Sequence, residues 1–551
     1  MKKRLVTLLI VSAMLLSGCV NIEPEWDGES EGTEVTGEIT ETVPQTDSGD
    51  GEKEPEEPHS NVIEKDGLRF MSMGAHYCAV TAAADFSDTV LVIPSESPLG
   101  EKVVRIAMHA FQGCETLMTV KIPEGVQSIG EYAFEGCTSM ATVILPDSVK
   151  DIGTHAFQDC ETLMAVKIPE GVQSIGEYAF EDCTSMATVI LPDSVKQIGA
   201  NAFRGCKTLM TVKIPEGVKT IEEHAFAGCA SLTTVILPDS VEEIGKWTFS
   251  GCSSLQRIQL SKGVKSIGTG IFQACESLEF ISVDSDNPFY HSEGNCLIET
   301  ASKTLIEGCK NSVIPSNGSV EHIGVNAFRD RQGLVEIVIP EGVKTIQDNA
   351  FKYCFDLEQV SLPDSLISLG FDAFCATSIK QLILPKNITQ KNLLDPFYGC
   401  GKLESIAVDV ENPVYHSVDN CLIETESKEL RLGCENSVIP TDGSVTDIGV
   451  GAFSFTSITD LVIPSGVLSI GSSAFWECQN LKSITIPNTV MRIESYAFAH
   501  CSSLTDIYFE GTVEEWRTID KAGDFGAYGG EYFIIHCTDG EDVFIRIRNG
   551  K

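Results

Sequence analysis

The cysteines are the residues whose number and spacing could do the most chemistry in this chain. There are 20, and 12 of them lie three residues after a regularly spaced phenylalanine. These 12 are Cys114, Cys137, Cys160, Cys183, Cys206, Cys229, Cys252, Cys275, Cys354, Cys400, Cys478 and Cys501. In stacked turns, neighbouring thiols would lie about 4.8 Å apart and point the same way, which fits disulfide geometry poorly. We therefore expect buried free thiols that fill the core as small apolar groups, with some bridging or metal binding as alternatives.

Four other cysteines are better candidates for disulfides. Cys296 and Cys309 are thirteen residues apart across a predicted hairpin, and so are Cys421 and Cys434. Abundant cysteine in an exported protein normally indicates disulfides. Zinc would need Cys-x-x-Cys pairs or nearby histidines, and the sequence shows neither at suitable spacing. We expect no metal site and no cofactor.

A repeated Tyr-His-Ser word is the best candidate for nucleophilic catalysis, at 290–292 and again at 415–417. Adjacent strand residues face opposite sides of a sheet, so this histidine and serine cannot readily share a proton. The sequence contains no nucleophile elbow, phosphate loop, HExxH or calcium-loop pattern. We expect a protein that is not an enzyme.

The N-terminal segment predicts export and lipid anchoring. Three basic residues, 2–4, precede an apolar run, 5–16, that is too short to span a bilayer. Leu16-Ser17-Gly18-Cys19 resembles the lipobox of bacterial lipoproteins, which implies a signal peptide at 1–18 and acylation of Cys19. The alternative is an ordinary signal peptide with an incidental cysteine. We expect an extracytoplasmic protein, held to a bacterial membrane only by its lipid and displayed at the cell surface.

Residues 19–60 predict a disordered acidic tether behind that cysteine. From Val20 to Ser60 the chain has 14 acidic residues and one lysine, with no apolar period. An acidic interaction tail is the alternative. The whole chain has a formal net charge of −40, which argues against nucleic acid as a partner because phosphate would be repelled.

A stride of 23 residues organises the rest of the chain. It is marked by 15 phenylalanines: Phe111, Phe134, Phe157, Phe180, Phe203, Phe226, Phe249, Phe272, Phe328, Phe351, Phe374, Phe397, Phe453, Phe475 and Phe498. One apolar set per long period is typical of a solenoid, because no single unit can bury its own apolar face. In one turn we expect a strand at 117–122, with Leu117, Val120 and Ile122 inward, and a return across the opposite wall. One parallel strand per turn would then stack into a single long sheet.

The repeat resembles the BspA-like leucine-rich-repeat surface lipoproteins of anaerobic and host-associated bacteria, the LRR_5 type. Their unit runs Leu-x-x-Val-x-Ile-Pro-x-x-Val-x-x-Ile-Gly-x-x-Ala-Phe-x-x-Cys, and this chain matches it from about residue 68. The resemblance implies a right-handed βα-type coil with capped ends. Gly125 stands where commoner leucine-rich repeats have asparagine. The curvature of those better-known proteins is therefore not assumed.

Two copied insertions interrupt the stride, near 284–316 and 409–441, at an offset of 125 residues. Apolar residues flank a polar turn at 300–303, which predicts a β-hairpin that projects from or extends one edge of the solenoid. The predicted organisation is an N-terminal cap at 61–100, the solenoid at 101–510 and a C-terminal cap at 511–551.

The outward face of the predicted sheet is the candidate binding surface. We call its outward residues the strip: Thr119, Lys121, Thr142, Ile144, Lys167, Thr188, Ile190, Thr211, Lys213, Thr234 and Ile236. Lysine and isoleucine alternate with a period of 46 residues, which indicates duplicated repeat pairs. Such a face could engage an extended acidic or amphipathic partner. Alternatively, these residues merely suit exposed strands and recent duplication explains their regularity.

Three functions follow from this sequence. The first is surface recognition of an unidentified protein or glycan on a host or microbial surface, including adhesion, as the resemblance implies. The second is a structural spacer in the envelope without a specific ligand. The third, an enzyme acting on envelope or dietary polymers, has only the export route in its favour.

Overall fold

The computed structural model describes residues 62–74, 76–84, 86–390, 396–526 and 532–545. They form a β-solenoid of about 19 turns with repeats of about 23 residues and parallel strands, and the described part holds one short helix. The predicted repeat solenoid is therefore confirmed. Its right-handed sense stays a prediction. The predicted signal peptide, Cys19 and the acidic tether lie outside the described residues.

The strands fall into three blocks of turns separated by the two insertions. The first block contains β1 (Val62–Lys65), β2 (Leu68–Gly74), β3 (Tyr77–Ala82), β4 (Val90–Val92), β5 (Lys102–Ile106), β6 (Thr119–Lys121), β7 (Ser128–Ile129), β8 (Thr142–Ile144), β9 (Asp151–Ile152), β10 (Ala165–Lys167), β11 (Ser174–Ile175), β12 (Thr188–Ile190), β13 (Gln197–Ile198), β14 (Thr211–Lys213), β15 (Thr220–Ile221), β16 (Thr234–Ile236), β17 (Glu243–Ile244), β18 (Arg257–Leu260), β19 (Ser266–Ile267) and β20 (Phe280–Val283). The first insertion contains β21 (Tyr290–Glu293), β22 (Cys296–Glu299) and β23 (Thr304–Gly308).

The remaining elements repeat this order. The second block contains β24 (His322–Ile323), β25 (Glu336–Val338), β26 (Thr345–Ile346), β27 (Gln359–Ser361), β28 (Ser368–Leu369), β29 (Gln381–Leu384) and β30 (Ser405–Val408). The second insertion contains β31 (Tyr415–Val418), β32 (Cys421–Glu424) and β33 (Glu429–Leu432). The third block contains β34 (Asp447–Ile448), β35 (Asp460–Val462), β36 (Ser469–Ile470), β37 (Ser483–Ile486), β38 (Arg492–Ile493), β39 (Asp506–Phe509), the helix α1 (Val513–Thr518), β40 (Asp520–Lys521), β41 (Tyr532–Cys537) and β42 (Gly540–Ile545).

Each regular turn has two strands on two walls, so the prediction of one strand per turn was wrong. The predicted strand is present in β6 and its counterparts in the other turns, with Leu117, Val120 and Ile122 buried. We call the wall that carries these strands the strip wall. It forms only short sheets of two to five strands. The continuous sheet lies on the other wall, where β3, β5 and the two-residue strands from β7 to β19 join β1 and β2 in 11 strands. We call this the long wall. The predicted βα-type coil is also wrong, because turns and short strands fill the return segment where a helix was expected.

Close approach of the turns explains why a glycine follows the isoleucine that ends most long-wall strands. Gly130 N donates to Ile106 O of the preceding turn at 2.9 Å. A Cβ on Gly130 would lie 2.6 Å from the Met108 backbone nitrogen, so a larger residue would push the turns apart.

The core is a column of stacked rings with a column of thiols beside it. Phe134 and Phe157 have ring centroids 5.3 Å apart and nearly parallel planes, and the stack runs from Phe111 to Phe272. The Cys160 thiol donates to the Phe134 carbonyl of the preceding turn at 3.3 Å, and the other buried rungs repeat this contact. All 12 thiols of the column are free and all but Cys114 are buried, as predicted, and the buried rungs also satisfy backbone carbonyls between turns.

The number of turns exceeds the 15 that the phenylalanines predict. The additional turns lie at the two ends and at the two insertions, where β3, β23, β33 and β40 continue the long wall. These strands are not followed by a phenylalanine in the repeat phase.

Each insertion forms an antiparallel sheet that lies across the core. The expected hairpin is present, since β22 pairs antiparallel with β23 around the predicted turn, and β23 then pairs parallel with β24. The predicted projection from an edge was wrong, because β22 is buried on both faces. Leu297 packs in the core of the first block, whereas Cys296 and Ile298 pack in that of the second. We call the two insertions the first and second partitions.

The second partition repeats this arrangement with the same alternation. Leu422 packs in the core of the second block, and Cys421 and Ile423 pack in that of the third. Among the described residues, the parallel ring stacks run within each block, and an edge-on contact between Tyr398 and Phe455, with ring centroids 5.4 Å apart, spans the second partition. The partitions thus divide one solenoid into three cores.

The two ends of the described solenoid carry irregular elements. At the front, β1, β2 and β3 form an antiparallel meander that extends the long wall. At the back, α1 begins with a capping box of Thr512 and Glu515, and its buried Trp516 packs edge-on against Phe509 at 5.3 Å. These elements cover the terminal turns of the core.

Candidate binding face

The strip residues all lie on β6 to β16 of the strip wall, with their side chains outward. Outward residues alternate with buried valines such as Val120 and Val166, because successive side chains of a strand face opposite sides. Thr119 and Thr142 are half-buried, and the other nine side chains are exposed. The apolar members remain accessible, since Ile236 is 51% exposed.

Lysine and isoleucine turns of the strip are paired in register. Lys121 lies beside Ile144, Lys167 beside Ile190 and Lys213 beside Ile236. The backbone ladder stops between each isoleucine turn and the next lysine turn, so the strip runs over three short sheets instead of one. The alternation of charge and apolar surface nevertheless continues along all six strands.

The strip is locally basic on an acidic body. Lys121, Lys167 and Lys213 form no ion pair with any residue that the structure describes. By contrast, Lys219 and Lys265 on the long wall both bind Glu242, at 2.6 and 2.7 Å, and lower the pKa of its carboxyl to about 2. From β4 to β20, the outward strand positions of the strip wall include no carboxylate.

Arg257 and Phe280 extend this face beyond the residues that the sequence predicted. Arg257 lies on β18 and Phe280 on β20, with the guanidinium 5.9 Å from the ring centroid. Both replace threonine in the column that begins at Thr119, and this substitution is the signal that could have found them. Between β16 and β18 the face opens into a cleft of about 580 Å³, lined by Ile236, Arg257 and Phe280 among others.

The four disulfide candidates are free thiols in the structure, so neither predicted disulfide is present. Cys296 packs in the core of the second block, whereas Cys309 packs in that of the first and donates to Glu279 O at 3.2 Å. Cys421 and Cys434 are separated in the same way by the second partition. Each pair nevertheless shares a serine neighbour, which is Ser312 in the first partition and Ser437 in the second.

Four thiols of the core, at Cys137, Cys160, Cys183 and Cys354, are poor nucleophiles. Burial raises the pKa of Cys137 and Cys354 to about 12, and it raises the pKa of Cys160 and Cys183 well above the ordinary value. Since the thiolate is the reactive form, these side chains are chemically quiet.

The Tyr-His-Ser words have structural contacts instead of a catalytic arrangement. His291 Nδ1 lies 2.9 Å from Thr300 Oγ1 across the hairpin, while Ser292 Oγ accepts from Val283 N at 3.0 Å. His416 and Ser417 repeat both contacts in the second partition. The histidine and serine are thus directed to different partners.

The described residues contain no group of three or more histidine, cysteine or acidic side chains placed to hold a metal ion. In the same residues, no helix has the length and apolar character needed to cross a membrane.

The family comparison agrees with this geometry. Four ranges, 95–209, 173–293, 299–424 and 431–519, match the family described as BspA type leucine rich repeat region (6 copies). No curated protein matches the chain. Similar solved structures include a leucine-rich repeat protein from Bacteroides ovatus, with 24% identity, coverage of 78% of this chain and 95% of that one, and a TM-score of 0.43.

Two further solved structures are similar. One is a leucine rich cell surface protein from Faecalibacterium prausnitzii, with 22% identity, coverage of 84% of this chain and 98% of that one, and a TM-score of 0.35. The other is the leucine rich repeat protein of T. pallidum, with 35% identity over 35% of this chain and 91% of that one, and a TM-score of 0.33. Because the family repeat matches most of the residues from 95 to 519, the chain belongs to the BspA type leucine-rich-repeat family.

Proposed function

We propose that this protein is a surface recognition protein that binds an extended partner along the strip, with a binding and not a catalytic role. The observation that carries this proposal is the row of lysines without ion pairs, alternating with exposed isoleucines in one register. Exposed cations without partners are available to a ligand, and exposed apolar groups between them add contact area.

Charge reversal on the strip tests this function. The variant Lys121, Lys167 and Lys213→Glu should lose saturable binding to protein or glycan arrays that the wild type shows. The matched control is Lys150, Lys196 and Lys246→Glu, which makes the same charge change at exposed positions away from the strip. Equal binding by both variants would contradict the strip as the site. No saturable signal from the wild type would favour an envelope spacer.

We further propose that Cys19 carries the lipid anchor and that 19–60 is a tether which separates the solenoid from the membrane. The basic start, short apolar run and lipobox-like residues support acylation. Cys19→Ser should move the protein from the membrane fraction to the soluble fraction and abolish incorporation of labelled fatty acid. Retention of the label would contradict the assignment.

Display at the cell surface is the last part of this proposal. A protease added to intact cells should remove the solenoid while leaving a cytoplasmic marker intact. Protection in intact cells, followed by digestion after the outer envelope is opened, would place the protein in a periplasm instead.

A further inference from the structure

Three lysines on the strip wall recur at every second turn. Lys121, Lys167 and Lys213 lie on β6, β10 and β14. Arg257 lies on β18, the next strand in this phase, but two residues to the side, in the column that begins at Thr119. The intervening strands carry Ile144, Ile190 and Ile236. Since adjacent strands are about 4.8 Å apart, successive lysines are about 10 Å apart and their row spans about 19 Å.

We infer that the strip binds an acidic polysaccharide with one carboxylate on every second sugar, laid along the solenoid axis. This inference rests on the proposed function and names the partner. Two rings of an extended glycan span about the distance between successive lysines, so alternate carboxylates meet the three lysines in turn. The ring that carries no charge then lies over an isoleucine, which contacts its C–H face, while the threonine column meets its hydroxyls.

Peptide partners fit this spacing less well. An extended peptide strand rises about 3.4 Å per residue, so its same-side groups recur at about 6.8 Å and fall out of phase with the cations. A polyproline II peptide repeats at about 9.3 Å, but such peptides are recognised in aromatic-lined grooves. The outward positions of β6 to β16 carry no aromatic side chain.

A second column favours sparse over dense polyanions. Exposed carboxylates follow the proline at the end of each strip-wall strand, one per turn: Glu124, Asp147, Glu170, Asp193, Glu216 and Asp239. They occur at twice the frequency of the cations. A polymer charged on every sugar would place half of its carboxylates in turns that have an acidic residue and no strip cation, and repulsion there penalises it.

The cleft at the end of the row provides an anchoring position. Phe280 is 49% exposed, and Arg257 lies over its ring on the side of the cleft. The exposed ring supplies an apolar surface for a sugar ring, and the guanidinium is placed to pair with a carboxylate. This site fixes the phase of the polymer relative to the lysines.

A hyaluronan octasaccharide, which carries a carboxylate on alternate sugars, is the probe that tests this inference. We expect the full chain to bind it saturably, with affinity falling as salt rises because surface charges are screened. The same oligosaccharide with its carboxylates reduced to alcohols, and an oligogalacturonate of equal length with a carboxylate on every sugar, should bind at least about fivefold more weakly.

The spacing itself is tested by exchanging one charge with its neighbour. Lys167→Ile combined with Ile190→Lys keeps composition and net charge but moves one cation by one turn. It should weaken hyaluronan binding about fivefold, because one cation loses its carboxylate. Its thermal unfolding midpoint should equal that of the wild type, since both positions are exposed. Unchanged binding by this variant would overturn the inference.

These experiments distinguish an error in the proposed glycan partner from an error in the proposed binding surface. If the wild type ignores hyaluronan but binds an acidic peptide that the triple Lys→Glu variant loses, the glycan is wrong and strip recognition stands. If hyaluronan binds equally to the wild type and to that variant, both the inference and the proposed site are wrong.

Discussion

The two partitions have the same backbone but stabilise it with different side chains. In the first, Glu307 and Arg331 form an ion pair of 2.5 Å with both side chains almost fully buried. The equivalent positions in the second, at the offset of 125 residues, are Leu432 and Thr456. In the second partition the buried cation is Arg431, which forms ion pairs with the nearby Glu424 and Glu429.

This difference follows from the residue that replaces cysteine in the first regular turn after each partition, which is Arg331 after the first and Thr456 after the second. Arg331 stands where most turns have cysteine, and it donates to the carbonyls of Cys275 and Phe272 across the partition, at 3.1 and 3.4 Å. Thr456 instead donates to Phe453 O within its own turn at 2.7 Å. A small cavity of about 150 Å³ remains beside it, lined by Cys400 and Arg431 among others. The first partition therefore links two blocks through a charged side chain, whereas the blocks on either side of the second meet through the edge-on contact of Tyr398 with Phe455, beside this cavity.

Removing one charge from the first partition should have the largest effect. Arg331→Thr leaves Glu307 buried without its partner, which should destabilise the first partition by about 3–5 kcal/mol. The measurement is the free energy of opening of β23 amides by native-state hydrogen exchange. The matched change Thr456→Val removes only a neutral hydrogen bond and should cost β33 about 1 kcal/mol. Similar losses in both partitions would mean that the ion pair contributes no special coupling.

The sequence predicted the features of the two partitions that depend on the repeat period, but it did not predict contacts between residues far apart in the chain. The 23-residue stride placed Phe328, Phe453 and the thiol ladder, because the period fixes which side chains face inward. The break in the thiol column at Arg331 was visible too. Its partner Glu307 was not, since the contact depends on how the insertion crosses the core.

Other misses have local causes. Long-wall strands such as β7 have two residues, too few for an alternating pattern, and their backbone pairing depends on the neighbouring turn. The strip was found because three alternating residues per strand repeat in register. Arg257 and Phe280 broke that pattern, so periodicity did not identify them.

A steric change should affect both partitions equally. A Cβ on Gly308 would lie 2.1 Å from the Phe328 ring, and one on Gly433 would lie 2.1 Å from the Phe453 ring. Gly308→Ala and Gly433→Ala should therefore each cost about 1–3 kcal/mol by overpacking, measured by hydrogen exchange of β23 and β33. A loss at only one site would show that the shared backbone does not impose the same packing.

Replacing the ion pair of the first partition by the residues found at the equivalent positions of the second should have the smallest effect. Glu307→Leu with Arg331→Thr removes both buried charges together, so neither is left uncompensated, and the new threonine can donate to Phe328 O as Thr456 does to Phe453 O. Replacing a buried ion pair by uncharged groups is often neutral, so we expect the double variant within about 1–2 kcal/mol of the wild type. The single variants, measured in the same cycle, should each lose more than the double. A double variant less stable than Arg331→Thr would show that the first block needs the charged link to Cys275 and Phe272, and that the two partitions are not interchangeable.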